Sequence, residues 1–280
     1  MTIPNFLIVG DLKAGTTSLH YYLVQHPNIY MPPQKELRYF SYDEENPYHA
    51  RAKAYRTRTF DEYLRYFQDS KGEKAIGEAS PNYLRSTGAA QRIKNNLPNV
   101  RIIVSIRNPA DRLYSLYLMH YRYGDTKNPL DQQLFGQDAA WIKGNFYWSE
   151  LKRYYDHFEK DKIKVILFDD LKKSSIDVIK DLYRFLEVDD AFTPEVGVQN
   201  KGGIPKSRRL YGALNFFEKR ARNYINPPPA LKGLWGSIKR KSLVDAKLDP
   251  LIRKKILEEA RDDIYRTQDL IGRNLSMWLE

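Results

Sequence analysis

Phe6-Leu7-Ile8-Val9-Gly10-Asp11-Leu12-Lys13-Ala14-Gly15-Thr16-Thr17-Ser18 is the stretch that decides the fold of this 280-residue chain. Phe6 to Val9 is a short unbroken apolar run closed by Gly10, the pattern of a strand buried on both faces of a parallel sheet. Asp11 to Gly15 read as a polar turn, and a helix is expected from Thr16, with Leu19, Tyr22 and Leu23 on one side, ending near His26-Pro27. A strand running through a tight turn into a helix leaves first-turn N–H groups without intrahelical acceptors and aims the positive end of the helix dipole at the strand ends. Gly15 permits close backbone approach, Thr16, Thr17 and Ser18 add hydroxyls, and Lys13 adds a full charge. The segment therefore reads as an anion cradle at the usual ligand position of an open α/β sheet. An ordinary strand–helix turn with an exposed lysine is the plainer alternative.

Outward from this corner, strands are expected at Ile29-Tyr30-Met31, Ala75-Ile76-Gly77, Arg101 to Ile106 and Ile163 to Phe168. Helical patterns lie between them at Phe60 to Phe67, Ala89 to Asn96, Ala110 to Tyr123, Tyr147 to Glu159 and Ser174 to Leu186. Strands alternating with helices imply right-handed crossovers and a parallel sheet of about five strands flanked by helices, an α/β single domain spanning 1–280 with a helical C-terminal region. The last third is different. Lys201 to Lys241 holds eleven Lys or Arg against one acid, Glu218, together with Pro227-Pro228-Pro229, and reads as a basic flap over 201–245. Asp249-Pro250 looks like an N-cap with proline at the first helical position, opening a helix over 249–272 that stops at Gly272.

Composition narrows the chemistry. Lys plus Arg number 46 against 35 Asp plus Glu, a net +11 that suits an anionic ligand, nucleic acid or membrane surface without choosing among them. With no cysteine, disulfides, thiolate metal sites and cysteine nucleophiles are excluded, and five scattered histidines show no metal-ligand spacing. No apolar run approaches membrane length, so no stable membrane anchor is expected and the reading is cytoplasmic.

A second anion site is legible from chemistry alone. Arg107 follows an apolar strand, Asp111 opens a helix and Ser115 lies one turn along it; a guanidinium with a nearby hydroxyl suits a dianionic phosphate. An ion pair between Arg107 and Asp111 is the structural alternative. The loop is not that of a P-loop-type kinase using ATP, in which Lys follows the second Gly, because Lys13 lies two residues before Gly15. A basic nucleic-acid-binding module would rest on the charge alone and leaves the ordered anion sites unexplained, so no nucleic acid is expected as partner.

Read as a series, FLIVGDLKAGTTSLHYYLVQHPNI, Lys35-Glu36-Leu37-Arg38-Tyr39-Phe40, Gly77 to Tyr83, Ile103 to Arg112 with Tyr114-Ser115, Gly144 to Tyr147, Phe168 to Leu171, Asn200 to Gly203 and Asn274 to Trp278 stand in the order of one known family. The sequence resembles the sulfotransferases that use 3′-phosphoadenosine-5′-phosphosulfate (PAPS), in particular the branch of heparan sulfate sulfotransferases and bacterial small-molecule enzymes. The resemblance implies a P-loop-kinase-like sulfotransferase fold and transfer of a sulfuryl group to a hydroxyl or amine of a natural product or saccharide, leaving adenosine 3′,5′-bisphosphate (PAP). It implies that Lys13, Ala14, Gly15, Thr16, Thr17 and Ser18 hold the 5′-phosphosulfate. Arg107 and Ser115 would hold the 3′-phosphate, with Lys201, Gly202 and Gly203 closing over it, the flap covering donor and acceptor. Lys13 would stabilise the leaving phosphate and Glu36 act as base, with no metal required; a surface pair of Glu36 with Lys35 or Arg38 is the plainer alternative. Several glycan enzymes carry Lys where this chain has Ala79; Arg38 is a candidate for the missing cation. Glu78, Ser80 and Tyr83 are expected to line the acceptor cleft, although Glu78 could equally pair locally. His20 and His120 are expected to be packed or satisfied histidines rather than bases, and Trp141, Phe146 and Trp148 to stack on adenine, line the acceptor pocket or fill the core.

Overall fold

The computed structural model describes residues 2–42, 57–126, 128–136, 142, 145–197, 203–207, 210–216, 237–238 and 241–280. The chain forms two compact units, Met1–Asn108 with Phe146–Gln199 and Arg261–Glu280, and Pro109–Asn145 with Asn200–Ala260.

The first unit holds the sheet. Its strands are β1 (Phe6–Gly10), β2 (Ile29–Tyr30), β3 (Ala75–Ala79), β4 (Arg101–Ile106) and β5 (Ile163–Leu167), in spatial order β2-β3-β1-β4-β5 and all parallel. β1 lies at the centre, and every residue of β1 and β3 is buried, as the continuous apolar run requires. The chain winds to one side of β1 through β2 and β3 and to the other through β4 and β5. The carboxyl end of β1 is thus the topological switch point, where ligands of open α/β sheets bind.

Helices α1 (Thr16–Leu23), α2 (Phe60–Leu64), α3 (Ala89–Asn96), α6 (Trp148–Tyr155), α7 (Phe168–Lys173) and α8 (Ser175–Phe185) belong to this unit; α4 and α5 belong to the other. Leu19, Tyr22 and Leu23 of α1 join Ile179, Leu182 and Tyr183 of α8 and Phe6, Ile8, Ile103 and Ile166 of the sheet in one apolar cluster. Burying such side chains is worth about 1.5–3 kcal/mol each, the main force holding α1 behind the β1 corner. Thr59 caps α2 in a capping box with Glu62. Phe168 opens α7 instead of ending β5.

In the second unit, α4 (Pro109–Tyr123) is followed by α5 (Leu130–Phe135), β6 (Ile204–Pro205) and β7 (Leu243–Val244), the two strands pairing antiparallel. Helix α9 (Pro250–Ile271) starts here, and its N-cap is as expected: Asp249 Oδ1 accepts from the N–H groups of Leu251 at 2.8 Å and Ile252 at 3.1 Å, with Pro250 at the first position. Most of the basic stretch from Lys201 to Lys241, including Lys201 and Gly202, lies outside the described residues, as do Trp141 and Gly144.

Candidate active site

The corner after β1 is held from below by a buried ion pair. Asp11 is fully buried; its Oδ2 lies 2.7 Å from Arg85 Nη2, Oδ1 accepts from Arg85 Nε at 3.2 Å, and Oδ1 also accepts from the Leu12 N–H at 2.7 Å. Burial alone would make the Arg85 guanidinium easier to deprotonate, but the Asp11 carboxylate outweighs it and holds the charge. Above the pair, the Ser105 hydroxyl donates to the Ala14 carbonyl at 2.5 Å and Arg107 Nη1 donates to the Lys13 carbonyl at 3.3 Å. Because the peptide unit is planar and trans, the Gly15 N–H points opposite to the tethered Ala14 carbonyl. Gly15 itself has φ +91, and a Cβ there would come within 2.8 Å of Phe168 Cδ2, so the left-handed turn and the close wall both demand glycine. Thr16 then opens α1, whose first-turn amides have no intrahelical acceptors.

Arg107, the first residue after β4, is fixed on three sides within the same unit. Its N–H donates to the Tyr147 hydroxyl at 3.2 Å while that hydroxyl donates to the Arg107 carbonyl at 2.7 Å. Its guanidinium lies 4.8 Å from the centre of the Phe168 ring. Tyr147 is in turn held by Asp263, which accepts from the N–H groups of Tyr147 and Trp148, and Asn108 donates to the Trp278 carbonyl at 3.0 Å. The final twenty residues thus prop the arginine, and Trp148 carries the Arg266 guanidinium over its ring. Phe146 offers its carbonyl to Arg85.

Across from the cradle, Lys35-Glu36-Leu37-Arg38 forms a turn with two left-handed residues, Glu36 at φ +63 and Arg38 at φ +61. Each such residue costs on the order of 1–2 kcal/mol and persists only where neighbours enforce it. Glu36 N–H donates to the Ala79 carbonyl at 3.1 Å, and Arg38 N–H donates to Ser80 Oγ at 3.0 Å. Glu36 Oε2 lies 2.5 Å from Arg38 Nη2 and Oε1 lies 3.7 Å from Lys35 Nζ. Lys35 also donates to Thr17 Oγ1 at 3.2 Å, joining this turn to the first turn of α1. Burial lowers the Lys35 pKa, opposed by the Glu36 and Glu78 carboxylates. Burial first, then Lys35, brings His20 down to about 4, so it is neutral at physiological pH. His20 is largely enclosed, and the half-exposed His120 pairs with Asp125 at 3.1 Å.

The structure gives Glu78, Ser80 and Tyr83 surroundings different from the cleft wall expected of them. They are 1%, 0% and 0% exposed, because β3 is interior to the sheet and the turn Pro81–Tyr83 packs into an aromatic cluster with Phe40 and Tyr63. Ala79, where the lysine of several glycan enzymes is missing, is likewise buried. Lys35 and Arg38 both pair with Glu36, as the plainer reading of that acid expects. Of the remaining expected donor contacts, Ser115 lies on α4 and Gly203 before β6, both in the second unit. There Asp111 pairs with Arg253 at 2.6 Å, Arg112 donates to Asn145, and Arg122 donates to the Gly203 carbonyl at 3.3 Å.

Among the described residues no group of three His, Asp or Glu is placed to hold a metal ion, and no helix is long and apolar enough to cross a membrane. The family model for the sulfotransferase domain matches residues 4–197. The membrane-associated sulfotransferase kil1 of Dictyostelium discoideum is 35% identical over 117 residues, 42% of this chain and 23% of its own length. The bifunctional heparan sulfate N-deacetylase/N-sulfotransferase 3 of Mus musculus is 26% identical over 204 residues, 66% of this chain and 22% of its own length. The chain thus spans less than a quarter of the length of these relatives. The crystal structure of a sulfotransferase from Alicyclobacillus acidocaldarius matches over 100% of both chains, with a TM-score of 0.75 and 28% identity. A mouse sulfotransferase complexed with PAP shares the fold at a TM-score of 0.50 and 14% identity, over 93% of this chain and 84% of that one. With a matching family model over most of its length and the sheet order and cradle described above, the chain belongs to the sulfotransferase domain family.

Proposed function

We propose that this sulfotransferase takes its sulfuryl group from PAPS and passes it to a hydroxyl or amine of a saccharide or natural-product acceptor. The observation that carries the reading is the Gly10–Ser18 corner, where tethered carbonyls, a left-handed glycine and a helix N-terminus prepare a site for a phosphosulfate. The residues present fit the donor: Gly15 supplies the left-handed turn that opens α1, and Arg107 is braced beside the same loop.

The donor supplies an activated sulfuryl group whose S–O bond to the 5′-phosphate breaks as the acceptor oxygen or nitrogen bonds to sulfur in line. Lys13 and the amides of Gly15 to Ser18 stabilise charge gathering on the departing phosphate. Glu36 takes the acceptor proton at Oε1, since Arg38 engages Oε2. Lys35, linked to Thr17 and beside Glu36, supplies the second cation that Ala79 does not. Arg107 would hold the 3′-phosphate of the nucleotide, the role that the family resemblance also gives to Ser115, Lys201, Gly202 and Gly203.

Thermal shift with PAP against ATP–Mg²⁺, followed by a mass-spectrometric screen of acceptors with PAPS, tests the reading. Stabilisation by PAP and a product heavier by one sulfuryl group are expected. Preference for ATP–Mg²⁺ would overturn it.

A further inference from the structure

The carboxyl end of β3 carries a buried acid for which the transfer reaction has no evident use. Glu78 Oε2 accepts from the Ser80 hydroxyl at 2.8 Å, and Ser80 Oγ accepts the N–H of Arg38 at 3.0 Å. The chain of bonds therefore runs from a fully enclosed carboxyl to the backbone of the turn bearing Glu36. That turn is left-handed at Glu36 and Arg38, a form that side-chain-bearing residues keep only under outside restraint. The restraint on its backbone amides comes from the end of β3, through the Ala79 carbonyl on Glu36 and Ser80 on Arg38.

We propose that Glu78 and Ser80 are positioning residues that hold the Glu36–Arg38 turn in its left-handed form and so aim the Glu36 carboxylate at the acceptor. The inference rests on Glu36 being the base. The groups facing Glu78 are Lys35 and Glu36 from that turn, Tyr63 from α2, and Ser80 and Tyr83 beyond β3. The Ser80 hydroxyl makes the aligned hydrogen bond to the acid at 2.8 Å, with the Tyr83 hydroxyl beside it. Burial pushes the Glu78 carboxyl up to about 7, against the Tyr83 and Ser80 hydroxyls. Ionised, it is the stronger acceptor; it then fixes the Ser80 proton toward itself and leaves the oxygen lone pairs to Arg38.

Amide hydrogen exchange of the whole chain, which needs no acceptor, reads this directly. In wild type, protection of the Arg38 amide, corrected for the intrinsic rate, should rise severalfold as pH climbs through about 7. Ser80→Ala should lower that protection at least tenfold at pH 8 relative to the β1 amides of the same variant, and Glu78→Gln should make the Arg38 protection, taken relative to β1, independent of pH. Turnover of PAPS to PAP with N-desulfated heparin as the probe acceptor should fall at least tenfold in kcat for Ser80→Ala, with PAP affinity within twofold. Ser80→Thr, which keeps the hydroxyl, should recover most of the exchange protection. Arg38 protection within twofold of wild type in Ser80→Ala, or a parallel loss of PAP binding, would overturn the proposal. Glu36→Gln separates it from the reading beneath: if that variant still turns over, Glu36 is not the base, whereas an inactive Glu36→Gln with an unperturbed Ser80→Ala sinks the positioning role alone.

Discussion

Replacing Arg85 with Met probes how the donor corner is built. The substitution leaves the Asp11 carboxylate fully buried and deprived of a guanidinium at 2.7 Å, while the Leu12 N–H remains. Breaking a buried pair by removing one partner costs about 3–5 kcal/mol, because the survivor has neither water nor countercharge. At roughly 2–4 °C per kcal/mol for a protein of this size, the melting temperature should fall by roughly 6–20 °C. Asp11→Leu combined with Arg85→Met removes both charges and should recover most of that loss, since a buried pair contributes little net against well-packed apolar side chains. PAP affinity should not recover in the double variant, because a leucine side chain in place of Asp11 cannot accept the N–H of Leu12 and the corner is left unbraced. Differential scanning calorimetry and isothermal titration of the two variants give both numbers. A single variant melting within 2 °C of wild type, or a double variant as unstable as the single, would refute the role given to the pair.

Gly15→Ala combines a left-handed φ of +91 with a Cβ 2.8 Å from Phe168 Cδ2; it should cost about 2–4 kcal/mol and at least tenfold in PAP affinity, both read by thermal titration. Lys13→Ala should cut kcat with PAP affinity changed less, while Arg107→Ala, which loses the Lys13 carbonyl bond and the Phe168 face, should raise the Kd for PAP roughly 10- to 100-fold with a smaller effect on kcat. Glu78, raised from 4.5 to about 7 by burial, binds its proton more tightly folded than unfolded, so its contribution is present at low pH and is lost as pH rises from about 4.5 to 7. The loss is on the order of 3 kcal/mol, so the melting temperature of Glu78→Gln relative to wild type should rise in the variant's favour between pH 5 and pH 8.

The sheet was legible because burial on both faces writes itself as unbroken apolar runs. All five strands, the β1 corner, the parallel direction of the sheet and the Asp249-Pro250 helix start were readable from such runs and from capping chemistry, but the strand order was not. Phe168 was misplaced by one element, since an aromatic after Ile166-Leu167 continues the strand pattern, and only the Asp169-Asp170 pair behind it marks a helix start. Leu130–Phe135 was too short for its period to show. Ser80 and Tyr83 were read toward the cleft, and Glu78 as either a cleft or a locally paired acid, because polar residues beside a motif look like ligand contacts. Which polar groups at a strand end turn inward depends on the neighbouring turn, and no spacing along one chain reveals it.

Backbone conformation is where that hidden information reappears. Among the described residues, four that are not glycine have positive φ: Lys13, Glu36, Arg38 and Glu187. Three of the four are residues assigned to charge stabilisation, proton removal or their immediate support. Left-handed backbone costs on the order of 1–2 kcal/mol at each, so the fold must supply at least that much restraint at both the donor loop and the base turn. It does so by the same device twice: Arg107 and Ser105 seize the carbonyls of Lys13 and Ala14, and Ala79 and Ser80 seize the amides of Glu36 and Arg38. In both cases the restraint comes from the carboxyl end of a strand flanking β1, so the twist of one central sheet sets the distance between the Lys13 and Glu36 turns. A substitution that shifts β3 or β4 by a fraction of an ångström should therefore impair transfer more than it impairs folding.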